Sequence, residues 1–305
     1  MKKLLSAGPI FIVIASILWS LDGLLRRSLY VLPPIIVVFF EHFLGFLFLL
    51  PFLLPKYKQI KKIEPRTWGA FAWITLLSSI GGTFFYTAAL GQVQFIQFSV
   101  VVLLQQLEPI FAVFFAWLVV KERISKMFIL YAIVALFGAY LISFPDLTVN
   151  LQTGRGTAIA ALLAVAAAFS WGSSTAFSRY VLLRLPTITA TSLRFGLGAL
   201  MGLIFIFVFN QQQALTALSQ NQWVTLLAIT LSTGMVALLI YYYGLKRTPA
   251  SVTTILELTW PLSAIVLDYF YFHKTLSPTQ ILGSIILLST MYQVSRMSKK
   301  LLAKN

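Results

Sequence analysis

Glu108 and Pro109 stand side by side near the centre of the apolar run "LLQQLEPIFAVFFAWLVV" at 103–120, just after Gln105 and Gln106. A carboxylate at bilayer depth costs ~3 kcal/mol on insertion scales, and a proline there removes a backbone hydrogen bond. The arrangement returns in "TTILELTWPLSAIVLDYF", where Glu257 and Trp260 precede Pro261. A proline frees the carbonyl four residues before it, so Pro109 exposes that of Gln105 and Pro261 that of Glu257. Gln105 and Glu108 share a helical face, as do Glu257 and Trp260. Two interrupted helices with free carbonyls and carboxylates at one depth suit the wall of a wet cavity. The plainer reading is a proline kink whose glutamate pairs with a neighbouring helix. A carboxylate in such a cavity can take up a proton from one side and release it when a cationic substrate binds. Protons are therefore the expected coupling ion.

Other polar groups lie in apolar surroundings. Glu41 and Arg194 are each costly in lipid when alone, and their positions are expected to bring them together as an ion pair or gate. His42, beside Glu41, reads as a packing residue, with a proton relay as the alternative because imidazole titrates near physiological pH. Trp19, Asp22 and Arg26 share one face, with Asp22 and Arg26 spaced for a local pair. Trp19 and Trp171, with Ser174 one turn after Trp171, can stack on an aromatic or cationic substrate. The alternative for membrane tryptophans is an interfacial anchor. Tyr86, and Tyr241 in "YYYG", are expected along the same path. No catalytic pattern stands beside them. The chain has two histidines and no cysteine, with no HExxH, no metal-ligand spacing and no Ser-His-Asp candidate. Neither a catalytic residue nor a metal or cofactor is expected.

The elements that must position these residues are membrane helices. Of 305 residues, 59% are hydrophobic and 10% charged, and mean hydropathy is +0.89. A soluble chain carries about 25% charge. Ten apolar spans are expected near 8–26, 33–54, 68–90, 97–119, 126–145, 156–179, 187–209, 223–245, 251–271 and 278–295. The net charge of +15 sits almost wholly between spans, which fits the positive-inside rule rather than nucleic-acid binding. With both termini inside, 18 of the 23 basic residues fall on the cytoplasmic side. The basic start and apolar run of the N-terminus read as a retained first helix.

A shift of 152 residues brings the halves into register. Trp19 then meets Trp171, Arg27 meets Arg179, and Pro109 meets Pro261. With one or more inserted residues, Pro33 meets Pro186, Trp68 meets Trp223, Tyr86 meets Tyr241, and Glu41 meets Arg194. Five spans in each half force the second half to enter the membrane upside down, the inverted repeat of alternating-access transporters. The first half runs 8–145 and the second 156–296.

At this point the chain resembles the drug/metabolite transporter superfamily, in particular its EamA-type members. The resemblance rests on "LWS" and "SWG" in the first helix of each half, "LEP" at 107–109, "KERIS" at 121–125, and the third helices "GGTFFYTAAL" and "STGMVALLIYYYGL". The chain departs from the pattern at Glu41, where an Arg is usual, at His273-Lys274, and at Trp260-Pro261, where the second "EP" is lost. The resemblance implies an all-α integral membrane fold of ten helices in two inverted five-helix repeats. It also implies a secondary active or facilitative transporter, an exporter of small metabolites such as amino acids, in a bacterial inner membrane and in contact with its lipids. The competing reading is an integral-membrane enzyme acting on a lipid-borne substrate, which needs a nucleophile or metal cluster that the sequence does not offer. A passive channel would carry a ring of like polar residues instead.

Overall fold

The computed structural model describes residues 8–26, 29, 31–90, 104–143, 147, 155–272 and 277–302. Among them there is no strand. The helices are α1 (Gly8–Arg26), α2 (Pro34–Leu53), α3 (Pro65–Trp73), α4 (Gly82–Leu90), α5 (Glu108–Val120), α6 (Lys126–Ser143) and α7 (Arg155–Leu182). They continue with α8 (Thr187–Val208), α9 (Gln220–Ile229), α10 (Met235–Leu245), α11 (Ala250–Glu257), α12 (Thr259–Phe272) and α13 (Pro278–Leu302). Proline sets many of the starts, because its missing N–H is no loss in a first turn. Pro34, Pro65 and Pro109 open α2, α3 and α5, while Pro186 and Pro249 precede α8 and α11 with extended backbone. Ser219 and Gln222 form a capping box on α9.

Among the described residues, five helices are long and apolar enough to cross a membrane: Pro34–Ile60, Pro65–Tyr86, Ile159–Leu182, Thr187–Val208 and Gln220–Leu245. Shorter apolar helices cover Gly8–Asp22, Glu108–Val120 and Lys126–Ile142. Their polarity is inside-out relative to a soluble bundle. Ile133 and Phe207 are 60% and 58% exposed, whereas Ser170, Ser173, Thr191 and Ser192 are fully buried. Small and hydroxylated residues between helices, with large apolar ones outside, are how helices pack in lipid. Gly138 of α6 and Gly283 of α13 show why small residues are needed. A Cβ on either would come within 3.1 Å of the other's carbonyl oxygen.

The closest helix pairs all join the two halves: α2 with α8, α5 with α7, α6 with α13, α1 with α10, and α4 with α7. Two kinds of irregularity recur in both halves. Between α3 and α4 the chain is π-helical over Ile74–Gly81, and between α9 and α10 over Thr230–Gly234. Such stretches open the backbone ladder and gather at functional sites. The second irregularity is the expected proline break. It falls at Gln106 and Leu107 before α5 and at Leu258 between α11 and α12, three residues or fewer ahead of Pro109 and Pro261. The start of the span expected at 97–119 lies outside the described residues up to 103. At the other end of the chain, α13 continues to Leu302, beyond the expected end near 295.

Candidate functional site

The two breaks bring their carboxylates together. Glu108 opens α5 and Glu257 closes α11, so each is held at a helix end rather than along a continuous face. The Glu257 carboxyl stands between the Glu108 carboxyl and the Tyr241 hydroxyl, close to both. Tyr241 is buried on α10, and its hydroxyl lies 3.3 Å from Thr175 Oγ1 of α7. The ring of Trp19 sits 5.0 Å from that of Tyr241. Gln105 lies half-buried at the first break. Oε1 of Gln105 and Oε1 of Glu257 are buried, with no hydrogen-bond partner among the described residues. Buried acceptors without donors are rare and call for an explanation. A ligand or water that donates hydrogen bonds supplies one. Gly172 of α7 permits the closeness of α5, since any side chain there would strike the Glu108 carbonyl.

A second lobe adjoins the first through the neighbouring residue Tyr242, whose ring is 6.0 Å from that of Tyr241. Its hydroxyl accepts from Arg194 Nη1 at 2.9 Å and lies 3.0 Å from Ser178 Oγ. Arg194 Nη2 donates to Ser78 Oγ at 2.8 Å, in the first π-helical stretch. Trp171 donates its indole N–H to the Ser78 carbonyl at 3.3 Å and stands 5.7 Å from the Tyr86 ring. Ser174 turns inward on its own helix, donating to the Ser170 carbonyl at 2.6 Å. Trp260 stands apart, half-buried beyond the second break, with no ring pair or hydrogen bond among the described residues.

The expected pairing of Glu41 with Arg194 is not formed. Arg26 Nη2 donates to Glu41 Oε2 at 2.6 Å instead, while Arg26 Nε donates to Asp22, the local partner expected from spacing. Asp22 Oδ1 also accepts from Thr233 Oγ1 at 2.5 Å in the second π-helical stretch. The reason is reach: one guanidinium at the end of α1 engages acids on α1 and α2 together. Arg194, one helix away, finds neutral hydroxyls. His42 packs as expected, with Nδ1 2.8 Å from the Val38 carbonyl and its ring 5.1 Å from Phe195.

Sequence reasoning missed a further cluster. Glu122 follows Lys121, which ends α5 in the left-handed conformation at φ 60°. Its Oε1 accepts from the Ala250 N–H at 2.7 Å, and its Oε2 from the Ser251 N–H at 3.1 Å and Ser251 Oγ at 2.7 Å. Glu122 thus caps the N-terminus of α11, where a carboxylate is favoured by the helix dipole. Arg179 Nε lies 3.1 Å from the same carboxylate, and Arg179 Nη1 donates to the carbonyls of Leu245, at 2.5 Å, and Thr248. The acid in "KERIS" and the proline before Ala250 were visible, but nothing local linked residues so distant in sequence.

The comparisons with known proteins agree with this architecture. The chain belongs to the EamA-like transporter family, which it matches over residues 6–144 and 158–296. It is therefore a multi-pass membrane transporter of a small molecule and not an enzyme. The riboflavin transporter ImpX of Fusobacterium nucleatum is 33% identical over 95% of this chain and 98% of its own length. An uncharacterized transporter of Bacillus subtilis, YoaV, is 22% identical over 90% of this chain and 92% of its own. A crystal structure of a protein 17% identical superposes with a TM-score of 0.77 over 97% of this chain and 99% of that one, which shows the fold alone.

Proposed function

We propose that this chain carries riboflavin, or a flavin of the same build, across a bacterial inner membrane by alternating access. The observation that carries the reading is the cluster of Glu108, Glu257, Tyr241 and Trp19 at two helix breaks, with the orphaned oxygens of Gln105 and Glu257 beside it. In this reading the chain crosses ten times as two inverted five-helix repeats, 8–145 and 156–296, with both termini cytoplasmic. The paired breaks and paired π-helical stretches support the repeat, and the 18 basic residues assigned to one side support the orientation. The relative named as a riboflavin transporter supports the substrate. Flavin chemistry fits the cluster: a planar ring system stacks on Trp19 and Tyr241, and a hydroxylated side chain donates to carboxylates and to the Gln105 amide oxygen.

Glu108 and Glu257 are assigned proton coupling. Two carboxyl groups in contact resist ionising together, so a proton held between them is displaced or retained as the substrate's hydroxyls arrive. Net direction then follows the two gradients, and export is one mode of the same cycle. The test is uptake of radiolabelled riboflavin into liposomes containing the purified protein, with amino acids as the comparison set. Saturable riboflavin uptake, undiminished by excess amino acids, is expected. Saturable transport of an amino acid with no response to riboflavin would overturn the flavin assignment.

A further inference from the structure

Arg194 carries a cation into the apolar bundle and, among the described residues, no acid touches it; Glu41 is near enough to act on it through space but not in contact. Among the described residues no carboxylate pairs with it, because Glu41 is engaged by Arg26. A guanidinium offers five N–H donors, and the hydrogen bonds it makes here go to two neutral hydroxyls, those of Tyr242 and Ser78. Nε is buried with no acceptor at all. Membrane-embedded arginines are costly and mark substrate pathways or pairs. Here the pair is absent.

The group is also held firmly. Its two partners come from different elements, α10 and the π-helical stretch, and the large exposed residues Leu200, Ile204 and Phe207 lie on another face of α8. Position links it to the carboxyl cluster. Tyr241 lies beside Glu257 and Tyr242 meets Arg194, and α7 holds the two hydroxyls through Thr175 and Ser178, one helical turn apart. The cluster thus has an acceptor-rich pole at Glu257 and a donor-rich pole at Arg194, one helical turn apart along α7.

We propose that Arg194 is the specificity-determining residue of this polar cluster, its guanidinium binding the carbonyl-bearing edge of the substrate's ring while the carboxyl pole takes the hydroxylated chain. This rests on the flavin reading and deepens it. The carbonyl oxygens of the flavin pyrimidinedione ring are hydrogen-bond acceptors, which is what a guanidinium with spare N–H groups requires. A purely cationic substrate offers no such edge and is repelled, so the cationic cargo that the carboxylates alone suggest is excluded.

The experiment is fluorescence-quench titration of the purified full chain with riboflavin and with its 2-thio and 4-thio analogues, in which sulfur, a weaker acceptor, replaces a ring carbonyl oxygen. The parent protein is expected to bind riboflavin about tenfold tighter than at least one thio analogue, the scale of a charge-assisted hydrogen bond. Arg194→Gln should bind riboflavin about tenfold more weakly and lose that discrimination. Arg194→Lys keeps the charge but not the planar fork, and should also discriminate less. Variants that lose affinity equally for all three ligands, with discrimination intact, would show that Arg194 only braces α8 against α10. If Arg194→Gln does not yield monodisperse protein, unchanged discrimination in Arg194→Lys overturns the assignment by itself. A parent that binds none of the three flavins overturns the flavin reading, and this assignment with it. That outcome is distinct from tight binding without discrimination.

Discussion

At the scale of single residues, the chemistry gathers where the sequence places charge against apolar surroundings. Tyr241 is the junction, since its hydroxyl faces the carboxyl pair on one side and Thr175 on the other. Tyr241→Phe removes that hydroxyl and keeps the ring against Trp19. Riboflavin binding by this variant is expected to weaken about tenfold, the loss of one hydrogen bond to a charged partner. Parental affinity in the same quench titration would place the cluster outside the path. Glu108, Glu257 and their prolines were legible in the sequence because a carboxylate and a helix breaker in an apolar run have few innocent explanations. The partner of Glu41 was not legible. The repeat register places Arg194 opposite it, but register fixes a helix position and not where a long side chain ends. Arg26, already bound to Asp22, reaches Glu41 first.

At the scale of elements, irregular backbone interrupts the helices at matching places in both halves. The two proline breaks were foreseeable; the π-helical stretches Ile74–Gly81 and Thr230–Gly234 were not, because no single residue in them dictates the wider turn. Glu122 ties the end of α5 to α7 and to the first turn of α11, so it links the first half to the second at one end of the bundle. The repeat register puts Lys274 where Glu122 would recur and Arg27 where Arg179 would. These residues lie outside the described part of the chain. Under the proposed orientation, the latch lies at the cytoplasmic end of the bundle. Glu122→Gln leaves Arg179 without its acid, and breaking a buried pair costs about 3–5 kcal/mol. The chain has no native cysteine, so a single cysteine at the buried position Thr254 reports opening cleanly. Glu122→Gln is expected to raise its labelling rate by a cytoplasmic-side maleimide, whereas an unchanged rate would mean that the latch does not gate α11.

At the scale of the whole molecule, membrane insertion and the all-helical class were readable from composition and span spacing, and the family from its resemblance in the motifs "LWS", "SWG", "LEP" and "KERIS". Substrate class was not, because it depends on which polar tips converge after the helices have packed. The central claim is that the carboxyl pair at the two breaks couples riboflavin movement to protons. Its most direct test is riboflavin uptake into liposomes with and without an imposed pH gradient, comparing the parent with Glu108→Gln and Glu257→Gln. The parent is expected to respond to the gradient, and each variant to transport at a reduced rate that no longer responds. Both variants moving riboflavin at the parental rate, with the parental response to the gradient, would contradict the account and leave the Glu-Pro stretch as no more than a kink.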